Sequence, residues 1–230
     1  MGDMVEFPAD GHPGTGYLAP AVGGAGLGIL VIQEWWGLED HITDVCDRLA
    51  AEGCTALAPD LFHGHTVPHD EPDQAAMASK ALDVGRAAQE LSGAVDFLIA
   101  HPEVRGQTVG VVGFCIGGGL ALWLATLRPD RVAAVVPFYG LIPWAAAQPD
   151  YSRLEAAVEG HYAEADDLAG PPAVEKLEAT LTDLGKDVRT FLYPGTHHAF
   201  FNDTRPDVYD GEAARQAWVR TLEFLRAKLG

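Results

Sequence analysis

The chain has 230 residues, 48% of them apolar, enough to bury a sizeable core, and a single domain spanning 1–230 is the expectation. Its 15 basic and 33 acidic residues leave a formal charge of −18, which repels nucleic acid and anionic membrane surfaces, so neither is expected as a partner. No stretch reaches the roughly 18 uncharged apolar residues of a membrane span, "MGDMVEFPADG" has neither a basic start nor an apolar signal core, and three cysteines lack scaffold spacing; these features predict a soluble cytoplasmic protein.

In chain order, "GLGILVIQEWWG" reads as a buried strand running into a loop. "LEDHITDVCDRLAAEG" carries a helical stripe at Ile42, Val45, Cys46 and Leu49, closed by Gly53. "CTALAPDLF" is the next strand, and "HGHTVPHDEPDQ" a long polar loop. Helical periodicity resumes in "AAMASKALDVGRAAQELSGAVDFLIAH", with a break expected near Gly85. "QTVGVVGFCIGG" then brings a strand, "LALWLATLR" a helix, "VAAVVPFYG" a strand and "AAVEGHYAE" a weaker one. A helix at "AVEKLEATLTDLG", a strand at "VRTFLYPG" and an amphipathic helix at "DGEAARQAWVRTLEFLRAKLG" complete the chain. Strands alternating with helices predict an α/β fold, a mostly parallel sheet with helices on both faces.

Gly113-Phe114-Cys115-Ile116-Gly117 has the spacing Gly-x-nucleophile-x-Gly where a strand meets a helix. That junction forces the central residue into a sharp turn, and the flanking glycines let the backbone fold close, so Cys115 is expected to project above the sheet. The helix starting beside it offers a dipole and free N–H groups that favour a thiolate and an oxyanion. A cysteine under a glycine-rich turn is otherwise a small apolar residue, the part expected of Cys46 and Cys54.

An acid and a base in the right order decide between those readings. In the hydrolase sheet order the acid follows a later strand and the histidine the last one. "YAEADD" and "YPGTHHAF" stand in those two places. The residues alone leave His197 and His198 open for one role, and Asp166 and Asp167, with Glu164 more distant, for the other.

With those motifs in hand, the chain resembles the dienelactone hydrolase family, α/β-hydrolases with a cysteine nucleophile. The likeness covers nearly the whole length, in "VIQEWWG", "APDLF", "GFCIGG", "FYG", "HYAEADD" and "GTHHAFFN". It implies an α/β-hydrolase fold and a carboxylic ester or lactone hydrolase, carboxymethylenebutenolidase-like. Such an enzyme acts on small-molecule substrates through a Cys-His-Asp triad and an acyl-enzyme thioester, with no metal and no organic cofactor. In the family the histidine before a small residue and Phe is catalytic, which maps to His198. The acid aligns by its following helix to Asp166; counting to Pro171, because Gly170 stands where a proline is expected, would select Asp167. The resemblance gives Glu34 the part of holding Cys115 neutral at rest and taking its proton as substrate binds. The oxyanion hole is assigned to the backbone N–H groups of Trp35 and Ile116.

The resemblance also implies two arginines that hold a substrate carboxylate. The stretch "DEPDQAAMASKALD" offers only Lys80, and the residue four beyond His198 is Asn202, so Arg86 and Arg205 are the expected substitutes. Trp36, Tyr139 and Phe200 are expected in the pocket wall. Two other classes compete: a non-catalytic small-molecule binding protein on the same fold, and a metal site built from His63, His65, His69 and the His197–His198 pair. The Pro, Thr and Val among those histidines favour a surface turn over a metal site.

Overall fold

A computed structural model describes all 230 residues. The chain divides into two compact units, Met1–Val111 and Val112–Gly230.

The first unit opens with an antiparallel hairpin, β1 (Asp3–Ala9) and β2 (His12–Ala19). Its two-residue turn, Asp10-Gly11, has positive φ at both positions, 40° and 92°, the geometry that Asp-Gly favours between twisted strands. Sequence reasoning assigns no strands here. In the structure Pro8 and Pro13 face each other across the hairpin, and β1 is an edge strand, where a missing N–H is tolerated.

β3 (Leu27–Ile32) and β4 (Cys54–Pro59) are parallel and joined by α1 (Asp40–Ala51), and β4 also pairs antiparallel with β2. Both strands are almost wholly buried, which accounts for their continuous apolar runs. The long helical segment breaks into α2 (Pro72–Ala81) and α3 (Val84–Ala100). The break falls at Leu82-Asp83 rather than at Gly85, because the Asp83 carboxylate caps α3 by accepting from the N–H groups of Gly85 and Arg86 at 3.0 and 3.1 Å.

β5 (Val109–Phe114) carries the chain into the second unit, where α4 (Ile116–Leu127), β6 (Val132–Phe138), β7 (Ala157–Ala165), α5 (Pro171–Asp183), β8 (Val188–His197) and α6 (Gly211–Leu229) follow. Two 3-10 turns, Ala145–Ala147 and Tyr151–Arg153, lie between β6 and β7. β6, β7 and β8 pair in parallel. α4 is buried around nearly its whole circumference, so its sequence is apolar without a polar face. The weak sequence signal of β7 has a specific cause: its buried positions include Glu159, which pairs with Arg189, and His161, whose Nδ1 lies 2.9 Å from the Tyr193 hydroxyl.

The strand order is β1-β2-β4-β3-β5-β6-β7-β8, mostly parallel, with helices as the connections: the α/β-hydrolase architecture.

Candidate active site

Cys115 is the N-cap of α4, with φ 54° and ψ −119°. A β-carbon-bearing residue pays about 1–3 kcal/mol for such a backbone, and the surroundings must hold it there. Cys115 N–H donates to the Phe138 carbonyl at 3.0 Å, and its own carbonyl accepts from Gly118 N–H at 3.0 Å. Gly113 is required two residues earlier, because a β-carbon there would collide with the Gly117 carbonyl. Side chains at the elbow are nearly enclosed; Cys115 is 8% exposed. Ile116 is the first residue of α4, at the end where helical N–H groups lack intrahelical acceptors.

His198 follows the last residue of β8, and Ala199 turns the chain with φ 67°. His198 Nδ1 lies 2.8 Å from Asp166 Oδ2. The other carboxylate oxygen of Asp166 accepts from the N–H groups of Leu168 and Ala169 at 2.8 and 3.0 Å. Of the two candidate acids, Asp166 therefore meets the histidine, while Asp167 lines the adjoining cavity. Glu164, the distant third, accepts from Gly195 N–H at 2.9 Å and ties the segment before the histidine to β7.

Burial disfavours the charged form of His198, yet the Cys115 sulfur, by charge and hydrogen bonding, and the Asp166 carboxylate outweigh it and raise its pKa to about 10. Nε2 is buried and makes no well-formed hydrogen bond, so the imidazole and the thiol are neighbours in a loose contact, as catalytic pairs often are before substrate arrives. Asp166 feels the same balance. Burial alone would raise its carboxyl, and the His198 hydrogen bond and charge, with the two backbone donors, hold it below the ordinary carboxylate range.

The rings of Tyr139 and Phe200 are fully buried. Tyr139 meets His198 edge-on at 5.1 Å and Phe200 at 5.6 Å, which fixes the plane of the imidazole from behind. A cavity of 490 Å³ is lined by Asp166, Asp167, Leu168, His198, Arg205 and Val208, among others. Arg205 reaches it from a loop organised by Asn202, whose side chain accepts from Thr204 N–H and Oγ1 at 3.1 and 2.6 Å and whose carbonyl accepts from Arg205 N–H at 3.1 Å. Arg205 also contacts Asp207 at 3.2 Å.

The remaining candidates lie in the first unit. Glu34 is buried at the end of β3, and Gly37 N–H donates back to its carbonyl at 3.3 Å. The Trp35 and Trp36 rings pack edge to face at 5.1 Å, and Trp36 is buried in an apolar cluster with Val67 and Ala75. Arg86 is engaged: its Nε donates to Glu90 Oε1 at 2.8 Å, an oxygen that His63 Nε2 also meets at 2.9 Å and His12 Nε2 at 3.4 Å. These groups belong to another cavity, of 370 Å³, lined by Arg86, Glu90, His63, His65 and Asp83 with apolar neighbours. Lys80 is exposed on α2. His69, unlike His63, bonds to Glu39 at 2.6 Å, so these two loop histidines serve different carboxylates.

Sequence reasoning misses the Asp166 backbone donors, the Glu164 tie and the Glu39–His69 pair. The run "DDLA" is a turn in which an Asp side chain accepts from N–H groups two and three residues on, a local signal for the first. The other two depend on contacts distant in sequence.

The sequence model of the dienelactone hydrolase family matches residues 15–229. Protein usf of Aquifex pyrophilus is 38% identical over the full length of both chains, and a protein of Aquifex aeolicus provisionally named carboxymethylenebutenolidase is 36% identical, again over the full length of both. A solved structure from Klebsiella pneumoniae, provisionally named a dienelactone hydrolase, superposes with a TM-score of 0.87 at 26% identity, covering 98% of each chain. Match length, full-length identity and fold agree: the chain belongs to the dienelactone hydrolase family and is a hydrolase of the α/β-hydrolase fold.

Proposed function

We propose that the protein hydrolyses small carboxylic esters or lactones, with carboxymethylenebutenolidase-like activity, through Cys115, His198 and Asp166. One observation carries this reading: a single imidazole stands between a carboxylate on Nδ1 and the thiol of a strained strand-to-helix elbow.

In the proposed cycle the Cys115 sulfur attacks the carbonyl carbon. The oxyanion is held by the Ile116 N–H at the start of α4 and, on the family resemblance, by the Trp35 N–H. The bond to the leaving oxygen breaks, and that oxygen takes a proton from His198 Nε2. His198, kept in one tautomer by Asp166, then removes a proton from water, which attacks the thioester. The carboxylic acid leaves and the sulfur is released. Glu34 receives the thiol proton as substrate binds and returns it to the sulfur at the end of the cycle, a role that rests on the family resemblance. Arg205 is proposed to attract a substrate carboxylate, because it lines the cavity shared with Asp166 and His198. Tyr139 and Phe200 support the His198 ring from behind, and the part of Trp36 in a pocket wall rests on the family resemblance. Three free cysteines, all buried, fit a reducing cytoplasm. No helix is long and apolar enough to cross a membrane.

Hydrolysis of short nitrophenyl esters and of small unsaturated lactones by wild type and Cys115→Ala tests the reading. Turnover by the wild type that the variant loses, with an unchanged circular-dichroism spectrum, supports it. Ligand binding without cleavage by either protein would instead favour a binding protein on a hydrolase fold.

A further inference from the structure

The segment that follows β3 is clamped by a second segment, the loop between β4 and α2. Val67 N–H donates to the Trp36 carbonyl at 2.9 Å. The His65 carbonyl stands so close to Gly37, whose φ is 98°, that no β-carbon fits there. His69 closes the clamp twice: its ring packs on Trp36 at 4.9 Å, and its Nε2 meets Glu39 Oε2 at 2.6 Å.

Glu39 returns to the same turn, since its N–H donates to the Gly37 carbonyl at 3.0 Å. Its carboxyl faces three titratable groups from three segments: Glu34 after β3, His41 on α1 and His69 before α2. Burial and then the Glu34 charge raise the Glu39 pKa, while the charge and hydrogen bond of His69 and the charge of His41 pull it down. Two like charges separated by four residues, Glu34 buried and Glu39 half-buried, need such a counterweight.

We propose that Glu39 and His69 are a positioning pair for the Glu34–Gly37 turn, His69 bracing Trp36 and the pair setting the electrostatic field in which Glu34 works. This role rests on the reading of Glu34 and Trp35 given above. Neither residue touches substrate; the pair acts through the turn. Removing Glu39 takes a like charge away from Glu34, whereas removing the His69 imidazole takes away the counterweight that bonds to Glu39 and strengthens the Glu39 charge beside Glu34. The two changes push the protonation of that site in opposite directions.

The test is the pH–rate profile of nitrophenyl acetate hydrolysis for wild type, Glu39→Gln, His69→Gln and His69→Ala, with the tryptophan emission spectrum of each protein. Glu39→Gln is expected to move the acid limb to lower pH, and His69→Gln to higher pH, each by about half a unit or more. His69→Ala is expected to lower kcat about tenfold with KM within about twofold. His69→Gln, which keeps a donor toward Glu39, restores the plateau rate but not the position of the limb. The tryptophan emission of the wild type, with the His69 ring packed on Trp36, is expected to change in His69→Ala. An active wild type whose acid limb stays in place in both Gln variants, or shifts the same way in both, overturns the pair's role and leaves the triad standing. A wild type that hydrolyses no ester overturns the reading of the site and this role with it, even if the emission spectra are as expected.

Discussion

His198 Nδ1 lies 2.8 Å from Asp166 Oδ2, while the neighbouring Asp167 makes no such contact and faces the adjoining cavity. The proposed Cys115 chemistry depends on that pairing, because a carboxylate holding Nδ1–H fixes the ring and leaves Nε2 to carry the proton to and from the reacting groups. Asp166→Asn, which preserves the shape but reverses the tautomer preference, is expected to lower kcat on the order of 10²–10⁴-fold. Asp167→Asn is expected to stay within about threefold of wild type. Steady-state kinetics on one nitrophenyl ester checks both.

The pKa of His198 makes stability depend on pH in a defined direction. The group is raised from 6.5 to about 10 in the folded chain, so the folded form holds its proton more tightly than the unfolded form. The resulting stabilisation is complete below the unfolded value near 6.5 and is lost as pH rises through about 10. The difference in Tm between wild type and His198→Gln is therefore expected to shrink steadily across that interval, as measured by thermal melts at fixed ionic strength.

Gly113 tests the elbow without touching its chemistry. A β-carbon at that position meets the Gly117 carbonyl, a rigid part of the first turn of α4. Gly113→Ala is expected to cost on the order of 1–3 kcal/mol of stability and to displace Cys115, so kcat falls with Tm. Urea unfolding with the slope compared to wild type gives the first quantity.

The two arginines separate stability from specificity. Arg86 is committed to Glu90, a carboxylate 2% exposed that also receives His63 and His12. Arg86→Ala is therefore expected to lower stability by about 1–2 kcal/mol, a figure discounted for the partial exposure of the arginine. Arg205 lines the cavity beside His198, and Arg205→Ala is expected to raise KM roughly tenfold for a carboxylate-bearing ester and leave a neutral ester unchanged. A substrate pair differing only in that carboxylate measures it.

Much of the architecture was legible because its cause is local. Buried parallel strands read as apolar runs, α1 as a stripe, and the elbow as two glycines around a cysteine. Where the cause is distant, the reading failed or softened. The β1–β2 hairpin was not read, and its Pro8 and Pro13 are tolerated because the hairpin lies at the sheet edge. β7 was weakened by Glu159 and His161, whose partners Arg189 and Tyr193 lie on β8. At the site, adjacent residues in "DD" and "HH" are equivalent in composition, and the family likeness gave Asp166 and His198, the two residues that meet at 2.8 Å. The engagement of Arg86 by Glu90 could not be foreseen: the spacing of four places them on one helical face, but not the histidines arriving from β2 and the loop after β4.

The most direct test of the central claim is to quench wild-type protein in acid during turnover of nitrophenyl acetate and map the modified peptide by mass spectrometry. The account predicts an acetyl group on Cys115, absent from Cys46 and Cys54, and absent altogether in Cys115→Ala. Turnover with no acyl group on Cys115, or with the label on another side chain, would contradict it.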